Sequence, residues 1–82
     1  MENVAGKVTH YFPKIGVAVI MLEDNLSNGD RIHIRGMHTD FYQTVSSMQV
    51  EHTTITSAAQ GQDIGMKVEQ TVHAGDLVYR VE

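Results

Sequence analysis

The sequence predicts an all-β fold: a small closed or nearly closed antiparallel β-barrel of about six to seven strands. Three observations carry this. First, glycine steps punctuate the chain: Asn28-Gly29-Asp30, Ala74-Gly75-Asp76, and between them Ala59-Gln60-Gly61-Gln62-Asp63-Ile64-Gly65. Glycine takes positive φ without steric cost, and Asp bonds its own local backbone, so each step can end one segment and launch a short strand. Second, the segments between are short and rich in β-branched residues, some alternating apolar and polar. Third, no long window has the periodicity of an amphipathic helix. Closing such a sheet removes its exposed edges, which favours a barrel.

Gly6 to Phe12 reads as the first strand, stopped near Pro13, which lacks an amide donor. Ile15 to Leu22 is the second; it is apolar on both faces, as a strand covered on both sides is. Its β-branched residues and Gly16 argue against a helix. Glu23 to Gly29 is a polar turn anchored by Leu26. Asp30 to Arg35 alternates, with Ile32 and Ile34 on one face and Arg31, His33 and Arg35 outward. After a turn at Gly36 to Thr39, Asp40 to Val50 reads as one long strand, with a bulge near Ser46-Ser47 that turns both Val45 and Met48 inward. Phe41 and Tyr42 point to opposite faces. Glu51 to Ala59 is ambiguous between a short strand, a loop and one helical turn at Ser57-Ala58-Ala59. Asp63 to Val68 and Leu77 to Val81 complete the set. The two Gly-Asp steps read as recurring turn chemistry and not as an internal repeat, because their flanks do not match.

Residues 1–82 are expected to form one domain, with 41% apolar and 20% charged residues. The chain has no Cys, which excludes disulfides and thiolate metal sites and fits a cytoplasmic setting. The N-terminus has no apolar signal core, and the longest apolar run, Val17 to Leu22, is far below a membrane span. A net charge of −4 opposes general attraction to DNA or any other nucleic acid. The five His residues lack ligand spacing, so no metal or other cofactor is expected. Ser46, Ser47 and Thr53-Thr54-Ile55-Thr56-Ser57 come with no placed base, and Asp30 and Asp76 read as turn formers. On its residues, the chain is not expected to be an enzyme.

The order of several short motifs resembles the second domain of translational GTPases such as elongation factor Tu. These are Gly6-Lys7-Val8, Leu26-Ser27-Asn28-Gly29-Asp30, Val45-Ser46-Ser47-Met48-Gln49, the Ala58 to Gly65 step and Gly75-Asp76-Leu77-Val78. The set spans nearly the whole chain. A similar barrel ends some collagenase-like peptidases. No Gly-x-x-x-x-Gly-Lys-Ser/Thr loop is present, so GTP binding is not expected.

The resemblance implies a non-catalytic binding module docking on a larger protein or a ribonucleoprotein in a translation- or RNA-related context. It makes tRNA or rRNA contact a candidate through Arg31, His33, Arg35 and Lys67. It also implies a wall formed by Gln49, Gly65, Met66 and Lys67, where the family holds a terminal adenosine. Gln49 replaces an acidic residue there, and Lys67 stands where an apolar residue is usual. The alternative is an accessory substrate-docking barrel for a peptidase-like or RNA-modifying enzyme encoded separately.

Overall fold

Three tight turns of one design organise the chain. A computed structural model describes residues 2–82. In Ser27–Asp30, the Asp30 amide donates to the Ser27 carbonyl (3.1 Å), and the Ser27 amide donates back to Asp30 Oδ2 (2.9 Å). His73–Asp76 repeats this at 3.0 Å and 2.8 Å. Ala59–Gln62 repeats it again at 3.2 Å and 2.7 Å, with Gln62 Oε1 replacing the Asp oxygen. The third residue is glycine each time, with φ of 93°, 97° and 89° at Gly29, Gly75 and Gly61. Positive φ at the third position only is the type II arrangement.

Each turn also docks on the backbone of a buried residue remote in sequence. The glycine amide donates to that residue's carbonyl, and the residue's amide donates to the carbonyl of the fourth turn residue. The partners are Val45 for Gly29 and Asp30, Leu22 for Gly61 and Gln62, and Val8 for Gly75 and Asp76, all at 2.8–2.9 Å. The turns are thus an internally repeated hydrogen-bond pattern, although their flanks differ.

Among the described residues these turns launch or join ten strands: β1 (Glu2–Phe12), β2 (Val17–Leu22), β3 (Leu26–Ser27), β4 (Arg31–Gly36), β5 (Thr39–Thr44), β6 (Met48–Val50), β7 (Thr53–Ile55), β8 (Ser57–Ala58), β9 (Asp63–Lys67) and β10 (Leu77–Val81). Eight form one antiparallel sheet in the order β5-β4-β10-β1-β2-β9-β6-β7; β3 and β8 form a separate ladder. The inward residues Val8, Ile20, Ile32, Ile34, Ile64, Met66 and Val78 build one core with Leu26, Val45 and Met48. Burial follows the period of two along β2, β5 and β9, where Phe41 of β5 joins the same core.

The expected closed barrel of six to seven strands is corrected here: the sheet stays open, because β5 and β7 at its ends do not pair. The single strand expected over Asp40 to Val50 is also two strands, β5 and β6. Val45 to Ser47 carries the chain between them, held by isolated bonds such as Val45 to Asp30 and Lys67 to Ser47. Beside that crossing the Gln43 side chain substitutes for a ladder. It is 2% exposed, its Nε2 donates to the Lys67 carbonyl (3.0 Å), and its Oε1 accepts from the Glu69 amide (2.9 Å). Val45 and Met48 both point inward as expected.

β1 begins earlier than the glycine at position 6 suggested, and its register shifts between Val4 and Gly6 and between Val8 and His10. The ambiguous Glu51 to Ala59 stretch becomes β7 and β8. β6 and β7 are joined by Glu51-His52, both at positive φ (49° and 66°). This is the two-residue hairpin turn that normally selects Asn-Gly. Among the described residues no helix is long and apolar enough to cross a membrane.

Candidate functional site

The seven residues singled out from the sequence fall into three places. Arg31, His33 and Arg35 lie on β4. Gln49, Gly65 and Lys67 lie on β6 and β9, on the far side of β10, β1 and β2 in the sheet order. Met66 is fully buried in the core, which removes it from any surface contact. The structure therefore does not bring them together as one site.

His33 is not the solvated outward residue its position in β4 suggested; it is 6% exposed. Its ring stacks on Tyr42, the cross-strand neighbour in β5. Nδ1 lies 2.8 Å from Glu2 Oε1, and Nε2 bonds Asp40 Oδ1. The Tyr42 hydroxyl donates to the other Glu2 oxygen (3.0 Å). Both ring nitrogens face carboxylates, so the doubly protonated imidazolium satisfies the site.

Burial is the largest single influence on His33 and works against its charge. The hydrogen bonds to Asp40 and Glu2, with the charges of those groups, outweigh it and hold the pKa above the ordinary 6.5. The hydrogen bond from His33 in turn holds Glu2 below its ordinary 4.5. Tyr42 is pushed up, chiefly because its proton is bonded to Glu2. This cluster ties the start of β1 to β4 and β5. Both ring nitrogens, both Glu2 oxygens and the Tyr42 hydroxyl have partners within it, so it reads as a brace. Of its members the sequence drew attention to His33 and Tyr42; Glu2 lay ahead of the strand expected there.

The other face is different. β2 is apolar on both sides, as the sequence predicted, but its outer side is uncovered among the described residues. Val17 and Val19 are half-buried there, and Phe12 (44% exposed) and Ile15 (58%) stand beside them. Together with Gly65, Gln49, Glu51 and Asp63 they line a groove of about 490 Å³. Cross-strand pairing sets the layout. Val19 faces Gly65, and Gly65 faces Gln49. Asp63 pairs with Met21, two residues along β9 from Gly65, and the same direction along β6 leads from Gln49 to Glu51. Both carboxylates therefore lie at one end of the groove. Lys67 lies at the other end, its Nζ donating to the Ile15 carbonyl (2.9 Å). The signal for this groove was in the sequence, as a strand apolar on both faces.

No family model matches the chain. A curated relative, an uncharacterized protease of Methanocaldococcus jannaschii, is 37% identical over 75 residues, which cover 90% of this chain. They cover 18% of the relative, so the chain spans less than a fifth of that protein. Two solved structures of the C-terminal domain of a candidate U32 peptidase of Geobacillus thermoleovorans have the same fold. One matches with a TM-score of 0.90 and 21% identity, covering 96% of this chain and 92% of that chain. The selenomethionine form matches with a TM-score of 0.88 and 22% identity, covering 93% and 96%.

These matches overturn the resemblance to the elongation-factor second domain, and with it the translation- and RNA-related binding role. They also correct the expectation that the chain is not an enzyme, since the relative it matches is a protease, and they favour the alternative reading, an accessory domain of a peptidase-like enzyme, over the main one. The cause lies in the motifs that carried the resemblance. Leu-x-x-Gly-Asp, the Ala58 to Gly65 step and Gly-Asp-Leu-Val are each centred on the same turn, which this chain uses three times. They report turn geometry, which unrelated small β folds share. The chain has the fold of the U32 peptidase C-terminal domain.

Proposed function

We propose that this chain is an accessory docking domain of a U32-like peptidase, positioning polypeptide substrate for a catalytic body. The observation that carries this is the extent of the matches. The similarity to the protease takes in nearly all of this chain and only a small part of the relative, and the fold is matched by a C-terminal peptidase domain. The apolar groove beside β2 supplies a surface suited to the role. Its partner on this reading is the peptidase body, joined to it or encoded separately, and its compartment is the cytoplasm.

The test is a domain exchange. The segment of the Methanocaldococcus protease that matches this chain is deleted, or replaced by this chain, and hydrolysis of a denatured protein is measured. Replacement restoring hydrolysis that deletion abolishes is the expected result. A replacement no better than the deletion, or an intact relative that cleaves no polypeptide, removes the proposal.

A further inference from the structure

The groove over β2 and β9 carries more detail than a docking role alone. We propose that it binds an extended polypeptide segment, with a large apolar side chain seated over Gly65 and a Lys or Arg directed at Glu51 and Asp63. This deepens the docking role proposed above and rests on it.

The strongest observation is Gly65 itself. It lies inside β9 and is not among the glycines with positive φ. A Cβ there meets Val17 Cγ1 at 3.4 Å and the Gln49 carbonyl at 3.9 Å, which are ordinary contacts. Gly6 and Gly36, by contrast, have no such room: a Cβ falls 2.7 Å from Ile20 Cγ2 at Gly6 and on Asp76 Oδ1 at Gly36. The fold therefore does not require glycine at position 65. The ladders on both sides of β9 run through Gly65 without a register shift, so it marks no bulge; the close approach of another backbone or ligand is a further use of a glycine inside a strand. Gly65 leaves an opening in the groove floor between Val19 and Gln49.

The walls and ends define the occupant. Phe12, Ile15, Val17 and Val19 offer apolar contact, with Phe12 and Ile15 well exposed. Glu51 and Asp63 close one end with negative charge, which opposes a phosphate-bearing ligand and suits a basic side chain. Lys67 at the other end is already held by the Ile15 carbonyl. Glu51 sits in the strained Glu51-His52 turn, and strain of this kind is kept at ligand clamps. An extended peptide presents alternate side chains to one face, which fits an apolar seat next to a charged one.

The full chain, labelled with nitrogen-15, is titrated with three capped peptides and followed by NMR. The first is Gly-Ser-Lys-Leu-Phe-Leu-Ser-Gly. The second has Glu in place of Lys, and the third has Ser in place of Leu-Phe-Leu. The first is expected to shift the amides of Val19, Gln49 and Gly65, and the other two to bind about tenfold more weakly. Gly65→Val and Ile15→Ser are expected to weaken the first peptide by a similar factor. Ile15 is an exposed residue before β2, so the second variant keeps the fold. Asp63→Lys should reverse the preference between the first two peptides.

Equal binding of all three peptides overturns the inference. So do shifts confined to β4 and β5, silence at millimolar peptide, or a short oligoadenylate that occupies the same residues more tightly. A domain exchange that restores hydrolysis while the groove stays silent leaves the accessory role standing and removes the groove. Groove binding with a failed exchange does the reverse.

Discussion

His33 and Tyr42 lie face to face across β4 and β5, with ring centroids 4.0 Å apart and planes 13° from parallel. The stack covers an imidazole whose two nitrogens both meet carboxylates, from Glu2 and Asp40. A charge placed there links three strands and makes stability depend on pH.

The sign follows from the direction of each shift. His33 is raised in the folded state, so its contribution is fully present below its ordinary value of 6.5 and is lost as pH rises through the folded value. Glu2 is lowered, so its contribution is present above 4.5 and is lost as pH falls through the folded value. Tm from thermal scans should therefore be highest between these limits and fall on the alkaline side. His33→Gln should flatten the alkaline fall. An unchanged slope in the variant assigns the fall to another group.

Substituting alanine for glycine should sort the glycines by cause. Gly36→Ala places Cβ on Asp76 Oδ1, a carboxylate that is 4% exposed and bonded to the His73 amide, so it should cost about 2–3 kcal/mol. Gly29→Ala meets nothing within 4 Å but holds φ at 93°, and should cost about 1–2 kcal/mol. Gly65→Ala has neither problem and should be neutral or stabilising by up to about 1 kcal/mol. Urea unfolding midpoints give the order, and a Gly65 cost matching that of Gly36 contradicts it.

Gln43→Met keeps the volume but removes both hydrogen bonds, leaving the Lys67 carbonyl and Glu69 amide to find other partners. A loss of about 2–4 kcal/mol is expected, with faster amide exchange at Glu69. A loss well under 1 kcal/mol means that water takes over both bonds.

The Glu51-His52 turn offers the opposite change. His52 holds φ at 66° without being glycine, so His52→Gly should stabilise by about 1 kcal/mol in the same denaturation assay. A destabilised variant shows that the His52 side chain contributes more than its backbone strain costs.

Much of the strand content was legible because turn residues and alternation are local signals. β2, β4, β9 and β10 lie close to where β-branched runs and glycine steps placed them. Closure was not legible. It depends on whether β5 finds a backbone partner, and the buried amide of Gln43, a single ordinary-looking residue, takes over that edge. His33 was misplaced for a related reason: alternation put it on the outer face, but Glu2 and Tyr42, brought from other strands, cover it there. Met66 was grouped with surface residues by motif position, whereas the period of two in β9 sends it inward. The groove was half legible, since the sequence showed a strand apolar on both faces but not that one face would be left open.

The three type II turns have a consequence for how the molecule comes apart. None is satisfied by local residues alone: each glycine amide needs the carbonyl of Val8, Leu22 or Val45 from a distant stretch. They act as fasteners between the beginning, middle and end of the chain, so that removing any one of those stretches leaves a fastener undone. The amides of Val8, Leu22 and Val45 should then exchange with solvent together, in a single opening of the whole molecule. Folding should be correspondingly slow for a chain this short, because every fastener waits on contacts remote in sequence.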